Sequence, residues 1–370
     1  MPALKHLVFA VTNDLATDQR MQRAGRALSA RFRVTLLGRL LPDSPPLPAE
    51  TPFQCVRIRL RHRRGPAFYL EHNYRLYRWL LAAQPDIIGA VDADTLAGCA
   101  LAARHLNVPL VYDSHEYFTQ LPELEGRPWV RWVWDRVERW GVPQAALCYT
   151  VNESLAEVLA QRLGTPFGVV RNLPEPPSAT ATAAPMPFSL PEKFILYQGA
   201  LNVGRGLEML LDILADWPEA RAVLCGEGDI SQALRAKAAS LRLQERVQFL
   251  GRLSPGSLHW VTRRAWIGYN VLAPMGLSYY YSLANKFFDY LHAGVPSLSS
   301  DFPEYQKLVH RWGCGRLTRY DKEDVAHMLC EMWCDQAAAQ RMQANARQAA
   351  AHLRWAEEKE TLLRLYEPLE

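Results

Sequence analysis

The stretch SLANKFFDYLHAGVP, residues 282–296, sets polar chemistry against an apolar pattern. It predicts one helix starting at Ser282 and ended by Gly294 and Pro296. At about 100° per residue, His292, Asn285, Asp289, Ser282 and Lys286 share one arc of roughly 120°, opposite Tyr290, Leu283, Phe287, Leu291 and Phe288. The apolar side is expected to pack and the polar side to face a cleft or solvent. An amphipathic surface helix gives the same projection, so periodicity does not by itself select a ligand. The chemistry is more specific. A helix N-terminus carrying an amide and an ammonium group suits a diphosphate, and Asp289, one turn further, could accept hydrogen bonds from a ribose diol.

Two glycine-containing turns add to this. QGALNVGRGLEMLL (198–211) joins a strand to a helix and opens with Gly199. Gly204 and Gly206 would let backbone N–H groups approach phosphate oxygens, and Arg205 supplies charge. CGEGD (225–229) places Gly226 and Glu227 at another strand end, where open α/β sheets bind ligands. Neither is a GxGxxG sequence, and ordinary strand-to-helix turns look the same. In the first half, VYDSHEYF (111–118) puts Asp113, His115 and Glu116 just beyond a strand, although a lone histidine is more often structural than catalytic. VDADT (91–95) contains the Asp-x-Asp pair that can hold a divalent metal. Here Asp92 and Asp94 are expected to cap a helix starting at Thr95 instead.

The elements that must position these residues repeat in a βα rhythm. Short β-branched runs at 7–11, 33–37, 55–60, 86–91, 109–113, 146–151 and 168–172 alternate with helical patterns. Between Asn172 and Lys193 the composition turns to Pro, Ala, Ser and Thr, and the rhythm restarts at 194–199, 221–226, 246–251, 266–272 and 295–300. Parallel sheets in two successive α/β domains follow. The predicted division is a first domain over 1–175, a linker over 176–192, a second domain over 193–352 and a terminal helical stretch over 353–370. A chain of 370 residues, 49% hydrophobic, suits two such cores.

The seven cysteines are scattered without a CxxC pair or zinc-ligand spacing, so reduced thiols in a cytoplasmic protein are expected, with no metal site. Met1 to Thr12 reads as a buried strand rather than a signal peptide, and no apolar run reaches the roughly 18 residues that span a bilayer. A net charge of +4 is too small to suggest a nucleic-acid partner. The excess positive charge lies in the first half. Much of it is in Arg57, Arg59, Arg61, Arg63, Arg64, Arg75 and Arg78, interleaved with Phe68, Tyr69, Tyr74, Tyr77 and Trp79. Such a segment could hold a protein peripherally to an anionic inner-membrane face, or it could be a solvated helix with its rings packed inward.

The ordered set VYDSHEYF, TVNESL, VVRNLP, GRGLE, CGEGD, FLGRL, SLANKFFDYLHAGVP and LRWAEEKETLLRLY resembles bacterial retaining glycosyltransferases of family four, in particular the branch that builds cell-surface polysaccharides. The resemblance implies the GT-B fold: two Rossmann-like domains facing across a cleft, with a C-terminal helix returning to the N-terminal domain. It implies a nucleotide diphosphate sugar as donor in the C-terminal domain, a glycan or lipid-linked acceptor on the N-terminal side near Asp113 and Glu116, and no cofactor. Carried over by position, Arg205 and Lys286 bind the donor diphosphate, Asp289 holds the ribose, and His115 lines the transferred sugar. There are departures. Tyr281 stands where the first glutamate of the family's E-x7-E pattern is expected, Ala200 where an arginine is common, and TNDLATDQR replaces the glycine-rich loop after the first strand. A sugar-nucleotide epimerase of the same architecture and a non-catalytic nucleotide-sugar-binding protein therefore remain as rivals. A nicotinamide dehydrogenase does not fit, because no GxGxxG follows the first strand.

Overall fold

The computed structural model describes residues 3–47, 50–175 and 188–370. The chain forms two compact units, Met1–Asn172 with Ala356–Glu370, and Leu173–Trp355.

In the first unit, seven parallel strands form one sheet: β1 (His6–Ala10), β2 (Arg33–Leu40), β3 (Gln54–Arg59), β4 (Ile87–Val91), β5 (Leu110–Ser114), β6 (Leu147–Thr150) and β7 (Gly168–Val169). Their order is β3-β2-β1-β4-β5-β6-β7. The central strands β1, β4 and β5 are buried along their whole length, which is why they read as apolar runs rather than as alternating patterns. Local signals set the helices between them. Asp18 caps Gln19–Leu28 by accepting the Met21 N–H, and Asn152 caps Glu153–Leu163 by accepting the Leu155 N–H. The terminal helix Trp355–Tyr366 brings Tyr366 against Phe9, Phe32 and Tyr149, with ring centroids 6.3, 5.9 and 6.2 Å apart. Such pairs are worth about 0.5–1.5 kcal/mol beyond the area they bury. Arg31 fixes the last residue through a 2.6 Å ion pair to Glu370.

In the second unit, six parallel strands, β8 (Ile195–Gln198), β9 (Ala222–Cys225), β10 (Val247–Gly251), β11 (Ile267–Asn270), β12 (Ser297–Ser300) and β13 (Gly315–Thr318), lie in the order β10-β9-β8-β11-β12-β13. The sequence reading has no counterpart to β13, whose GRLT carries no β-branched run. β12 is buried although three of its four residues are serines. Their hydroxyls find partners: Ser300 Oγ accepts the Leu272 N–H at 2.6 Å, and Ser299 Oγ accepts from Asn270 at 3.2 Å.

The unit boundary differs from the expected one at Leu173, which is buried with Phe287, Phe288 and Leu291 in the core of the second unit. Of the expected linker, residues 176–187 lie outside the described residues. Phe188 and Leu190 already pack on the second core. The terminal stretch is two helices, Gln336–His352 and Trp355–Tyr366, and the second begins the return to the first unit.

In both sheets strand order reverses direction at one place, between β1 and β4 and between β8 and β11. Crossover connections leave these sheets on opposite sides at such a point, so a crevice opens beyond the carboxyl ends of the strands.

Candidate functional site

Beyond β8 and β9 the chain turns at Gly199 and Gly226. Gly226 has φ +137°, and a Cβ there would lie 1.9 Å from the Gly199 carbonyl oxygen, so the two loops meet backbone to backbone. Gly199 donates to the Cys225 carbonyl at 2.9 Å and Gly226 to the Gly251 carbonyl at 2.7 Å, extending the ladder into the crevice. The next turn has Gly204 at φ +79°, beneath the Met275 sulfur, and Gly206 as the residue preceding the helix Leu207–Asp216. The Gly206 carbonyl is held by the Tyr269 hydroxyl at 2.9 Å. Glu227 pairs with Arg235 at 3.1 Å, both partly exposed.

The helix expected from Ser282 starts at Asn285 and runs to Ala293. Ser282 turns its hydroxyl back to the Tyr279 carbonyl at 2.8 Å, and Ala284 is extended, its N–H bound to the Tyr305 hydroxyl at 3.0 Å. No side chain caps this N-terminus, which keeps its positive end available to an anion.

The helical projection puts Lys286 on the polar arc, but the structure does not expose it there. The residue is buried, with its ammonium 3.9 Å from the centroid of the Tyr197 ring and beside Gly199. The polar arc is also divided otherwise: Asn285 is exposed, and His292 points to the Leu353 carbonyl at 2.7 Å. Burial, and after it the Arg205 guanidinium, push the Lys286 pKa well below its ordinary value, while Asp289 opposes this. Arg205 itself stacks 4.7 Å from the Tyr279 ring centroid and has a buried Nε without a hydrogen-bond partner. Among the described residues neither cation forms an ion pair. Asp289 accepts from the Gln198 amide at 2.8 Å, and Gln198 in turn accepts from Thr262 at 2.7 Å. The last residue of β8 thus holds this carboxylate in one orientation. Tyr281 caps the short helix Gly276–Tyr280 and is half-buried.

The first sheet assembles a second cluster. Asp113, at the end of β5, receives Arg20 on one carboxylate oxygen and the His115 Nε2 on the other, both at 3.0 Å. Arg20 also donates to the Val170 carbonyl at 3.1 Å. Burial by itself would raise the Asp113 pKa, but Arg20 and His115 hold it at about 2. Burial works against a charged His115, yet Asp113 and Asp92 raise its pKa.

The expected capping role of Asp92 and Asp94 is not what the structure shows. The helix starts at Ala93, two residues earlier than Thr95, and Asp92 precedes it without a side-chain cap. Asp92 instead accepts the His115 N–H at 2.7 Å, and Asp94 accepts from the Thr12 hydroxyl at 2.6 Å across the β1/β4 crevice. Asp92 has φ +58° and ψ 169°, a region that costs non-glycine residues roughly 1–3 kcal/mol. Burial pushes Asp92 up to about 7 and Asp94 to about 6. Glu116 is exposed. Among the described residues no three His, Cys, Asp or Glu side chains are grouped to hold a metal ion.

The sequence reading missed Arg20, Thr12 and Tyr197. Arg20 and Thr12 lie in TNDLATDQR, noted only as a departure from the glycine-rich pattern. No spacing rule links Arg20 to Asp113, 93 residues away.

Comparison with known proteins agrees with this layout. Residues 19–174 match the model for Glycosyltransferase Family 4, and residues 183–349 match Glycosyl transferases group 1. No curated protein matches in sequence. Among solved structures, sucrose-phosphate synthase from Thermosynechococcus elongatus is similar at TM-score 0.79 and 18% identity, covering 99% of each chain. Anabaena HepE in complex with UDP and glucose is similar at TM-score 0.75 and 15% identity, covering 97% of this chain and 98% of that one. A trehalose-6-phosphate structure from E. coli, bound with UDP-2-fluoro glucose, is similar at TM-score 0.75 and 15% identity, covering 98% and 99%. At such identities the likeness shows the fold, and the two family matches, which between them take in most of the chain, show the rest: the protein belongs to the family four glycosyltransferases of GT-B fold.

Proposed function

We propose that the protein transfers a sugar, with retention of anomeric configuration, from a nucleotide diphosphate donor held by the second unit to a glycan or lipid-linked acceptor received by the first. The placement of such a reaction in cell-surface polysaccharide synthesis is part of the same reading. The observation that carries it is the juxtaposition of buried Lys286 with Arg205 at Gly199, two cations without a carboxylate in ion-pair range among the described residues. An anion between them would relieve their mutual repulsion and raise the lysine's pKa again. The donor assignment is supported by the similar structures crystallised with UDP and glucose and with UDP-2-fluoro glucose.

When the bond between the anomeric carbon and the diphosphate oxygen breaks, the bonding pair moves to that oxygen. Lys286, Arg205 and the uncapped N-terminus of the Asn285–Ala293 helix then meet the developing charge without a divalent metal. Retention needs the acceptor to attack from the face the phosphate leaves, where the phosphate oxygen takes the acceptor's proton, so no side-chain base is required. Asp289, oriented by Gln198, holds the ribose, and His115 lines the transferred sugar.

The test is turnover across panels of nucleotide sugars and acceptors in excess chelator, read by mass spectrometry and by the anomeric configuration of the product. Activity in chelator with a retained anomer supports the reading. Activity lost with chelator and restored by manganese removes the metal-independent mechanism. A modified sugar released without acceptor identifies an epimerase, and tight donor binding without turnover identifies a binding protein, the outcome that Tyr281 at the glutamate position favours.

A further inference from the structure

The helix Pro128–Gly141, PWVRWVWDRVERWG, is anchored from within. Trp134 packs against Tyr69 and Phe118, with ring centroids 4.8 and 5.2 Å away. Buried Glu138 accepts from the Tyr112 hydroxyl at 3.0 Å and pairs with Arg162. The opposite face is unusual for a water-soluble surface. Trp129 is 79% exposed, Trp132 52% and Trp140 40%, with Val130 and Val133 exposed beside them. At 100° per residue Trp129, Trp132, Val133, Arg136 and Trp140 project to one side, away from Trp134 and Glu138.

Positive charge lies on this stripe and along one flank of it. Arg136 stacks 5.3 Å from the Trp132 ring centroid. A groove of about 720 Å³ runs along the helix, lined by Arg127, Arg131, Trp132, Asp135, Arg139 and Arg162 among others. Its one carboxylate, Asp135, is bound by Arg139 and Arg162, both at 2.8 Å. Arg127 and Arg131 form no ion pair among the described residues.

We propose that this helix face docks the protein on an anionic phospholipid surface, with the tryptophans in the headgroup zone, Arg136 beside them on lipid phosphates, and the arginines of the flanking groove adding longer-range attraction. Tryptophan favours that zone because its ring is apolar and its N–H is polar, and arginine adds attraction to anionic lipid. No described helix is long and apolar enough to cross a membrane, so this contact is peripheral.

The Arg-rich segment from Arg57 to Trp79 is the weaker candidate. It comprises β3, a turn and the helix Pro66–Ala83; Arg57 is committed to Asp14, and Glu71 takes the Arg61 and His62 N–H groups and pairs with Arg75. A second copy of the chain is also disfavoured as occupant. A twofold contact repeats one patch against itself and would set the arginine groove against another arginine groove. The inference is independent of the donor chemistry.

Co-sedimentation of the full chain with vesicles of phosphatidylcholine alone, or mixed with phosphatidylglycerol, tests it. Binding is expected only to the anionic vesicles, weakening with salt, and brominated lipid should quench tryptophan emission. Arg136→Gln, on the tryptophan side, should lower partitioning about fivefold, the factor for one charge near the surface. Trp129→Ala with Trp140→Ala should reduce both binding and quenching while the melting temperature holds. The proposal is overturned if the wild-type chain stays in the supernatant with anionic vesicles at low salt, or if both variants bind as it does. Concentration-dependent dimerisation in ultracentrifugation, lost in the tryptophan variant and unaccompanied by vesicle binding, would assign the face to a second copy instead.

Discussion

At the carboxyl end of the first sheet, Arg20 and His115 each reach one oxygen of the Asp113 carboxylate at 3.0 Å. At the carboxyl end of the second, Lys286 and Arg205 lie close enough for one to depress the pKa of the other, and neither has an ion-pair partner among the described residues. The same crevice in the same kind of sheet is thus finished in two ways. A carboxylate held on both oxygens keeps its neighbours in place before any ligand arrives, which suits the positioning of a neutral sugar. Two basic side chains without an ion-pair partner among the described residues suit a diphosphate.

The largest expected effect is on the first network. Arg20→Ala leaves Asp113 buried and half-partnered, and breaking such a pair typically costs about 3–5 kcal/mol. Denaturant unfolding should show a loss of that size; a change below about 1 kcal/mol would mean that the network is not self-supporting. The matching experiment on the second crevice should spare stability and remove function. Lys286→Ala and Arg205→Ala are each expected to lower turnover by about 100-fold or more, because each removes a preorganised charge from the leaving group. Near-normal kinetics in the lysine variant would make its burial a packing feature.

Ligand binding sharpens the contrast further. A nucleoside diphosphate at about 100 times its dissociation constant should stabilise the wild-type protein by about 2.7 kcal/mol. In thermal melts that shift should vanish in Lys286→Ala and persist in His115→Ala. Equal loss in both variants would put the nucleotide in contact with the first network.

Stability within the first unit should also depend on pH. Asp92 is raised to about 7 in the folded protein, above its unfolded value of about 3.9. Its contribution is therefore full below that unfolded value and lost as pH rises through 7. Asp113, held at about 2, contributes above the unfolded value and loses this as pH falls toward 2. Asp92→Asn keeps an acceptor for the His115 N–H and should flatten the decline in stability between about pH 4 and pH 7. An unchanged slope in melts across that range would show that Asp92 is not the group responsible.

Much of the architecture was legible along the chain, because a parallel sheet covered on both faces demands consecutive apolar residues. All twelve runs read as strands coincide with strands, and only β13, built on Gly, Arg and Thr, escaped. Gly294 ends its helix in the left-handed conformation, as expected from its type, whereas the caps Asp18 and Asn152 were not read from the sequence. The glycine turns and the polar helix near Lys286 could be located by residue type alone.

Tertiary structure decided the rest, since the deciding contacts join residues far apart in sequence. The helix start moved from Ser282 to Asn285 because Tyr305 binds the Ala284 N–H, and no local pattern announces that bond. Lys286 left its polar arc because Tyr197, from β8, offers a ring face for the ammonium. Asp92 and Asp94 gave up capping because His115 and Thr12 reach them from neighbouring strand ends. Sequence periodicity records which side of an element is apolar. Which buried charge finds a partner, and which is left for a ligand, depends on strand order, and strand order is set only when the sheets assemble.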